Sequence, residues 1–124
     1  MVQTEISQLS AECTEWRQIL RNYRNELQES KKVLQQICRN ELTKDQLLQV
    51  EHYDNQFHIQ LINIHDVKHA IKMHERKIQL KEDQISEDMF AEHENLLSEF
   101  LSLESTLQEL RNDFKQFVSN ISCT

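Results

Sequence analysis

The chain has 124 residues, 38% of them hydrophobic and 28% charged, and contains neither glycine nor proline. Its 14 basic and 21 acidic side chains give a net charge of −7, which argues against nucleic acid or an anionic membrane as the main partner. Glycine supplies the positive φ of tight turns and proline punctuates helices, so their joint absence excludes a turn-rich β or α/β domain and predicts a few long helices.

The first ladder runs Ile6, Leu9, Cys13, Trp16, Leu20, Tyr23, Leu27, Ser30, Leu34 and Ile37. Its steps alternate three and four residues, the 3.5-residue period of a coiled-coil-like seam. It predicts a helix over 4–40, with Asn40 as a left-handed C-terminal cap. Thr43-Lys44-Asp45-Gln46 then matches a capping box and opens a second helix over 43–81.

The second ladder is Leu47, Val50, Asp54, Phe57, Leu61, Ile64, Lys68, Ile71, Glu75 and Ile78. Tyr53, Val67 and His74 precede its three charged members by one residue. A drift toward the 3.6-residue period would bring those three inward. Ser86-Glu87-Asp88 places a capping hydroxyl before two acids and starts a third helix over 86–120. Its ladder is Met89, His93, Leu96, Phe100, Leu103, Leu107, Leu110, Phe114, Phe117 and Ile121.

Each helix would be about 54–58 Å long. Turns this short force antiparallel neighbours. The expectation is one all-α domain spanning 1–124, an antiparallel up-down-up three-helix bundle with coiled-coil-like packing. That architecture resembles a spectrin-type bundle, including a tryptophan, Trp16, in the first helix.

No apolar run approaches the ~20 residues of a membrane span. The start, Met1-Val2-Gln3-Thr4-Glu5, has neither the basic nor the apolar part of a signal peptide. A cytoplasmic protein with reduced thiols is expected. Cys13, Cys38 and Cys123 form no Cys-x-x-Cys pair. Cys13 falls on the first seam. Cys38 and Cys123 approach the same end of the rod, where a disulfide is geometrically conceivable. Residues 82–113 hold ten acidic residues against the single basic Arg111, whereas 17–39 and 68–81 are rich in Lys and Arg. The simplest arrangement sets an acidic third helix beside basic stretches of the other two.

Six histidines invite a metal reading. His65 and His69 lie one helical turn apart and would chelate a cation if a third ligand joined them. A second turn near residue 84 sets residue i level with about 168 − i, which places Glu99 beside His69 and His93 beside His74. His93 lies on the third ladder and His74 next to the second, with Glu75 and Glu94 adjacent and Glu5 and Glu12 nearby on the first helix. His74 and His93 are therefore the candidates for a polar core layer. Such a layer can fix helix register, respond to pH or hold a metal.

Glu-x-x-His and His-Glu-x-x-His are both absent. No glycine-rich phosphate loop and no nucleophile elbow exist. No catalytic residue, no cofactor and no metal is assigned, and no enzyme activity is expected.

The remaining clue is apolar surface. Leu48, Ile59 and Ile62 lie off the second seam and are the interface candidates. Phe90, Leu97, Leu101 and Val118 of the third helix, with Ile19 and Val33 of the first, mostly widen the core stripes. The expected function is a non-enzymatic interaction or scaffold module that self-associates, as a homodimer or with another helical protein. The alternatives are a metal- or ligand-binding bundle using histidines of helices two and three, and a subunit of a larger helical assembly.

Overall fold

The computed structural model describes the backbone of residues 2–80 and 85–122, and the side chains of 5–80 and 85–121. It contains three helices, α1 (Val2–Ile37), α2 (Lys44–Leu80) and α3 (Glu87–Ser122). α2 packs against both neighbours, while α1 and α3 touch each other less. The fold is an all-α three-helix bundle, and no described helix is long and apolar enough to cross a membrane. Cys123 and the residues of the second turn, 81–84, lie outside the described residues.

Side chains at both turns satisfy backbone groups that a helix start leaves without partners. The capping box forms in both directions: the Gln46 N–H donates to Thr43 Oγ1 at 3.1 Å, and the Thr43 N–H donates to Gln46 Oε1 at 2.9 Å. At the start of α3 the Met89 N–H donates to Ser86 Oγ at 3.2 Å. The end of α1 differs from expectation. No described residue has positive φ, so Asn40 is not a left-handed cap. The chain leaves α1 through tight turns instead, with Arg39 N–H donating to Gln36 O and Asn40 N–H to Ile37 O, each at 3.1 Å. Short-range bonds of this kind satisfy the last carbonyls without a special residue.

The seams of α1 and α3 are as the ladders predict. Leu9 through Ile37 on α1, with Ser30 half-buried, and Met89 through Phe117 on α3 face the core. α2 differs. Its inward residues are Val50, Tyr53, Phe57, Gln60, Ile64, Val67, Ile71, His74 and Ile78. Every second rung thus lies one residue earlier than the ladder placed it. Leu47 is 49% exposed, Asp54 is exposed, and Leu61 and Lys68 are half-buried. Glu75 does turn inward, toward α1. The cause is α2's central place, because a helix with two neighbours must show apolar surface to both. As the drift toward the 3.6-residue period predicts, Tyr53, Val67 and His74 turn inward; Asp54 turns out, and Lys68 stays half-buried. The cost of the shift is Gln60, buried where Leu61 was expected, with its amide oxygen accepting from Asn63 at 3.2 Å.

The two ends of the bundle have different interiors. Near the first turn, Tyr53 and Phe57 of α2 meet Phe114 and Phe117 of α3, with ring centroids 4.9–5.3 Å apart at the closest contacts. Edge-on packing of this kind adds to the gain from burial. Toward the second turn one layer of the core is polar, at His74, Glu75 and His93, with Ile78, Ile85 and Met89 apolar beyond it. Seam and surface on α2 can be told apart by truncation. Phe57→Ala should cost about 3–5 kcal/mol in urea unfolding. Leu47→Ala should stay within about 0.5 kcal/mol. Equal losses would contradict the shifted seam.

Candidate functional site: a histidine layer and an outer stripe

One helical layer brings four ionisable groups into a line across all three helices. Glu92 Oε1 lies 2.6 Å from His74 Nδ1, His74 Nε2 lies 2.9 Å from His93 Nδ1, and His93 Nε2 lies 2.7 Å from Glu12 Oε2. The two imidazoles are almost wholly buried, whereas the carboxylates stand half-exposed at either rim. Trp16 covers His93, with ring centroids 4.7 Å apart. Cys13 lies beneath, fully buried, with its Sγ and one nitrogen of each histidine all within 4.8 Å of one another.

Three close contacts need three protons. One sits on His74 Nδ1 and is donated to Glu92, one lies between the rings, and one lies between His93 and Glu12. His74 then accepts through Nε2 and stays neutral. Burial pushes its pKa below the ordinary imidazole value, and the hydrogen bond and charge of Glu92 oppose that shift without cancelling it. Burial works against the Glu92 charge, but hydrogen bonds from His74 and Lys77 outweigh it and hold Glu92 below its ordinary value. Lys77 Nζ lies 3.1 Å from Glu92 Oε2 and ties the rim to α2. The Cys13 thiol is pushed up to about 12, by burial first and the Glu75 charge next, with Arg17 opposing. It is an inert thiol at neutral pH.

His74 and His93 thus meet as the layer arithmetic places them, with Glu12 at their height. The carboxylates differ in part. Glu94 is exposed, and the layer uses Glu92 instead. Glu75 bonds neither histidine and is held by Arg17 at 2.7 Å and by the Thr14 hydroxyl at 3.3 Å. Level alone cannot choose between Glu92 and Glu94. The choice follows from side-chain direction around α3, with His93 pointing to the axis and Glu92 flanking it on the α2 side. His65, His69 and Glu99 are all exposed, and the three-ligand group found among the described residues lies elsewhere. Cys38 is exposed and free.

The charge pattern is also more local than the helix-wide tally implied. Lys77–Glu92 joins α2 to acidic α3, but Arg111 of α3 pairs with Glu26 of α1 at 3.2 Å. The basic stretches of α1 and α2 lie partly against each other. Burial and then the charges of Arg24, Arg21, Arg17 and Lys72 push the Lys68 pKa down.

The interface candidates are all on the surface. Leu48 is 57% exposed, Ile59 39% and Ile62 49%, and Met73 joins them at 42%. These four belong to one stripe of eight exposed α2 residues: Leu48, His52, Asn55, Ile59, Ile62, Asp66, His69 and Met73. The stripe has the same alternating spacing as the core seam but lies on the side turned away from it. Leu97, Val118 and Ile19 pack against the core as widened stripes, whereas Phe90, Leu101 and Val33 remain exposed.

A histidine with a depressed folded pKa contributes stability that is present above its unfolded value and is lost as pH falls through the folded one. The Glu92 shift has the same sign at lower pH. The thermal midpoint of the wild type, measured relative to His74→Gln, should therefore fall as pH drops from about 7 to about 5. A flat or rising difference would contradict the neutral assignment of His74. Compared with known proteins, the chain matches no family profile, no curated protein and no solved structure.

Proposed function

We propose that the protein is a non-enzymatic interaction module that works as a homodimer, joined through the outer stripe of α2. The observation that carries this reading is the symmetry of the stripe. Its order is Leu48, His52, Asn55, Ile59, then Ile62, Asp66, His69, Met73, symmetric about the midpoint of residues 60 and 61. A second copy running antiparallel would bring Leu48 to the partner's Met73, His52 to the partner's His69, Asn55 to the partner's Asp66 and Ile59 to the partner's Ile62. Like meets like, and the Asn55 amide can donate to the Asp66 carboxylate. A two-fold interface requires such self-complementarity, because each contact must occur twice.

The flanks agree with the same register. On one side Glu51 would face the partner's Lys72, and His58 the partner's His65. On the other Gln56 would face the partner's Asn63. The contact from Leu48 to Met73 would run about 38 Å along the helix. Its core is the central Ile59–Ile62 block, with polar residues on either side, the arrangement of a protein interface rather than of a domain core. We place this work in the cytoplasm, where the Cys13 and Cys38 thiols would stay reduced.

Analytical ultracentrifugation of the full chain tests the reading. The wild type should sediment as a dimer. Ile59→Asp with Ile62→Asp should give a monomer of unchanged helicity. A wild-type monomer, or a double variant that remains dimeric, would end the proposal. The register is tested separately by charge exchange. Glu51→Lys should weaken the dimer several-fold at low salt, and adding Lys72→Glu should restore it.

A further inference from the structure

We propose that Cys13, His74 and His93 form a binding site for one thiophilic divalent cation of the zinc class, oriented by Glu12 and Glu92. The inference is independent of the dimer, since none of these residues lies on the outer stripe.

The arrangement of nitrogens carries it. Each histidine has one inward and one outward ring nitrogen. The outward ones, His74 Nδ1 and His93 Nε2, are taken by carboxylates at 2.6 and 2.7 Å. Metal-binding histidines are held in this way: a carboxylate accepts the remote N–H, fixes the tautomer and strengthens the ligand nitrogen. The inward ones, His74 Nε2 and His93 Nδ1, converge at 2.9 Å, and Cys13 Sγ lies within 4.8 Å of one nitrogen of each ring. Three helices contribute one ligand each, so the cation would pin the bundle at a single height.

The fit is close but requires a small movement. Two imidazole nitrogens on a tetrahedral zinc stand about 3.3 Å apart, and a thiolate stands about 3.6 Å from each. The rings must open by about 0.4 Å and the cysteine, within 4.8 Å of a nitrogen on each ring, must move by no more than about an ångström, changes within the reach of side-chain torsions. The fourth position falls to water or to a carboxylate at the rim. Nitrogen and sulfur donors in this ratio select zinc or cobalt over magnesium or calcium, which require oxygen.

Atoms and charges balance. The cation replaces the proton between the two rings and the proton of the Cys13 thiol, and both protons leave to solvent. The sulfur–metal bond forms as the sulfur–hydrogen bond breaks, with no change of oxidation state. The thiolate, the Glu12 and Glu92 carboxylates, the divalent cation and the Lys77 ammonium beside Glu92 then sum to zero. The Arg17–Glu75 pair adds no net charge. A buried cation needs such compensation.

The test uses the full chain, reduced and stripped with chelator, and cobalt(II) as the probe. Cobalt is added both to the native protein and during refolding from denaturant, so that slow entry to a buried site has no influence on the result. One cobalt per chain is expected by native mass spectrometry, with a sulfur-to-cobalt charge-transfer band in the near ultraviolet. Fluorescence of the single tryptophan, Trp16, should be quenched, because its ring lies against His93. Cys13→Ala should abolish the band, and Glu92→Gln should weaken affinity about 10–100-fold. His65→Gln with His69→Gln, on the outer face, should leave the cobalt band and its stoichiometry unchanged. Absence of the band under both loading conditions overturns the site, as does a band that survives in Cys13→Ala. If that variant does not fold, X-ray absorption of the cobalt-loaded wild type decides: one sulfur and two imidazoles support the site, and a shell without sulfur overturns it.

Discussion

A helix lying between two others must satisfy both at once, and that requirement on α2 organises the molecule. α1 and α3 each keep a single apolar seam of Leu, Phe, Ile and Met with few polar members. α2 has to serve two grooves, and it does so with a shifted ladder that admits Gln60 and His74 to the interior. Burying an amide and an imidazole is unfavourable unless each finds partners. Gln60 finds Asn63 on its own helix, while His74 bonds Glu92 and His93 of α3, and His93 in turn bonds Glu12 of α1. The polar layer is thus a product of α2's position as much as of its composition.

The layer limits how the helices can slide. Apolar rungs tolerate a heptad shift with modest loss, because leucine packs on isoleucine nearly as well as on phenylalanine. The line Glu12–His93–His74–Glu92 tolerates none, since a shift would leave buried ring nitrogens without partners. At the same height Arg17 and Thr14 hold Glu75, and further along Tyr23 donates to Glu104 at 3.3 Å. Polar contacts therefore fix the axial alignment that the hydrophobic seams leave loose, as single polar core residues do in heptad-repeat assemblies.

Much of this was legible from the residues. Three ladders without glycine or proline gave the helix count, and Thr43 with Gln46 gave the second start because that box has a mechanism. The level of His74 against His93 followed from counting residues away from the turn. What escaped was azimuth. Periodicity averaged over a helix cannot say which of two adjacent residues, Gln60 or Leu61, faces inward when the helix has two neighbours. Nor could it select Glu92 over Glu94, or reveal that Cys13 lies under both histidines. Asn40 was misjudged for another reason: a residue that tolerates positive φ need not adopt it when short-range hydrogen bonds already close the helix.

The wider spacing between α1 and α3 has a kinetic consequence. Two helical hairpins sharing α2 can each form from contacts close in sequence, a topology that favours rapid folding. The Glu12–His93 bond is different, because it joins residues 81 apart in sequence and exists only when all three helices are in place. Its closure therefore waits on both hairpins, and loop-closure entropy for this contact is paid late, when the apolar seams already hold the helices together.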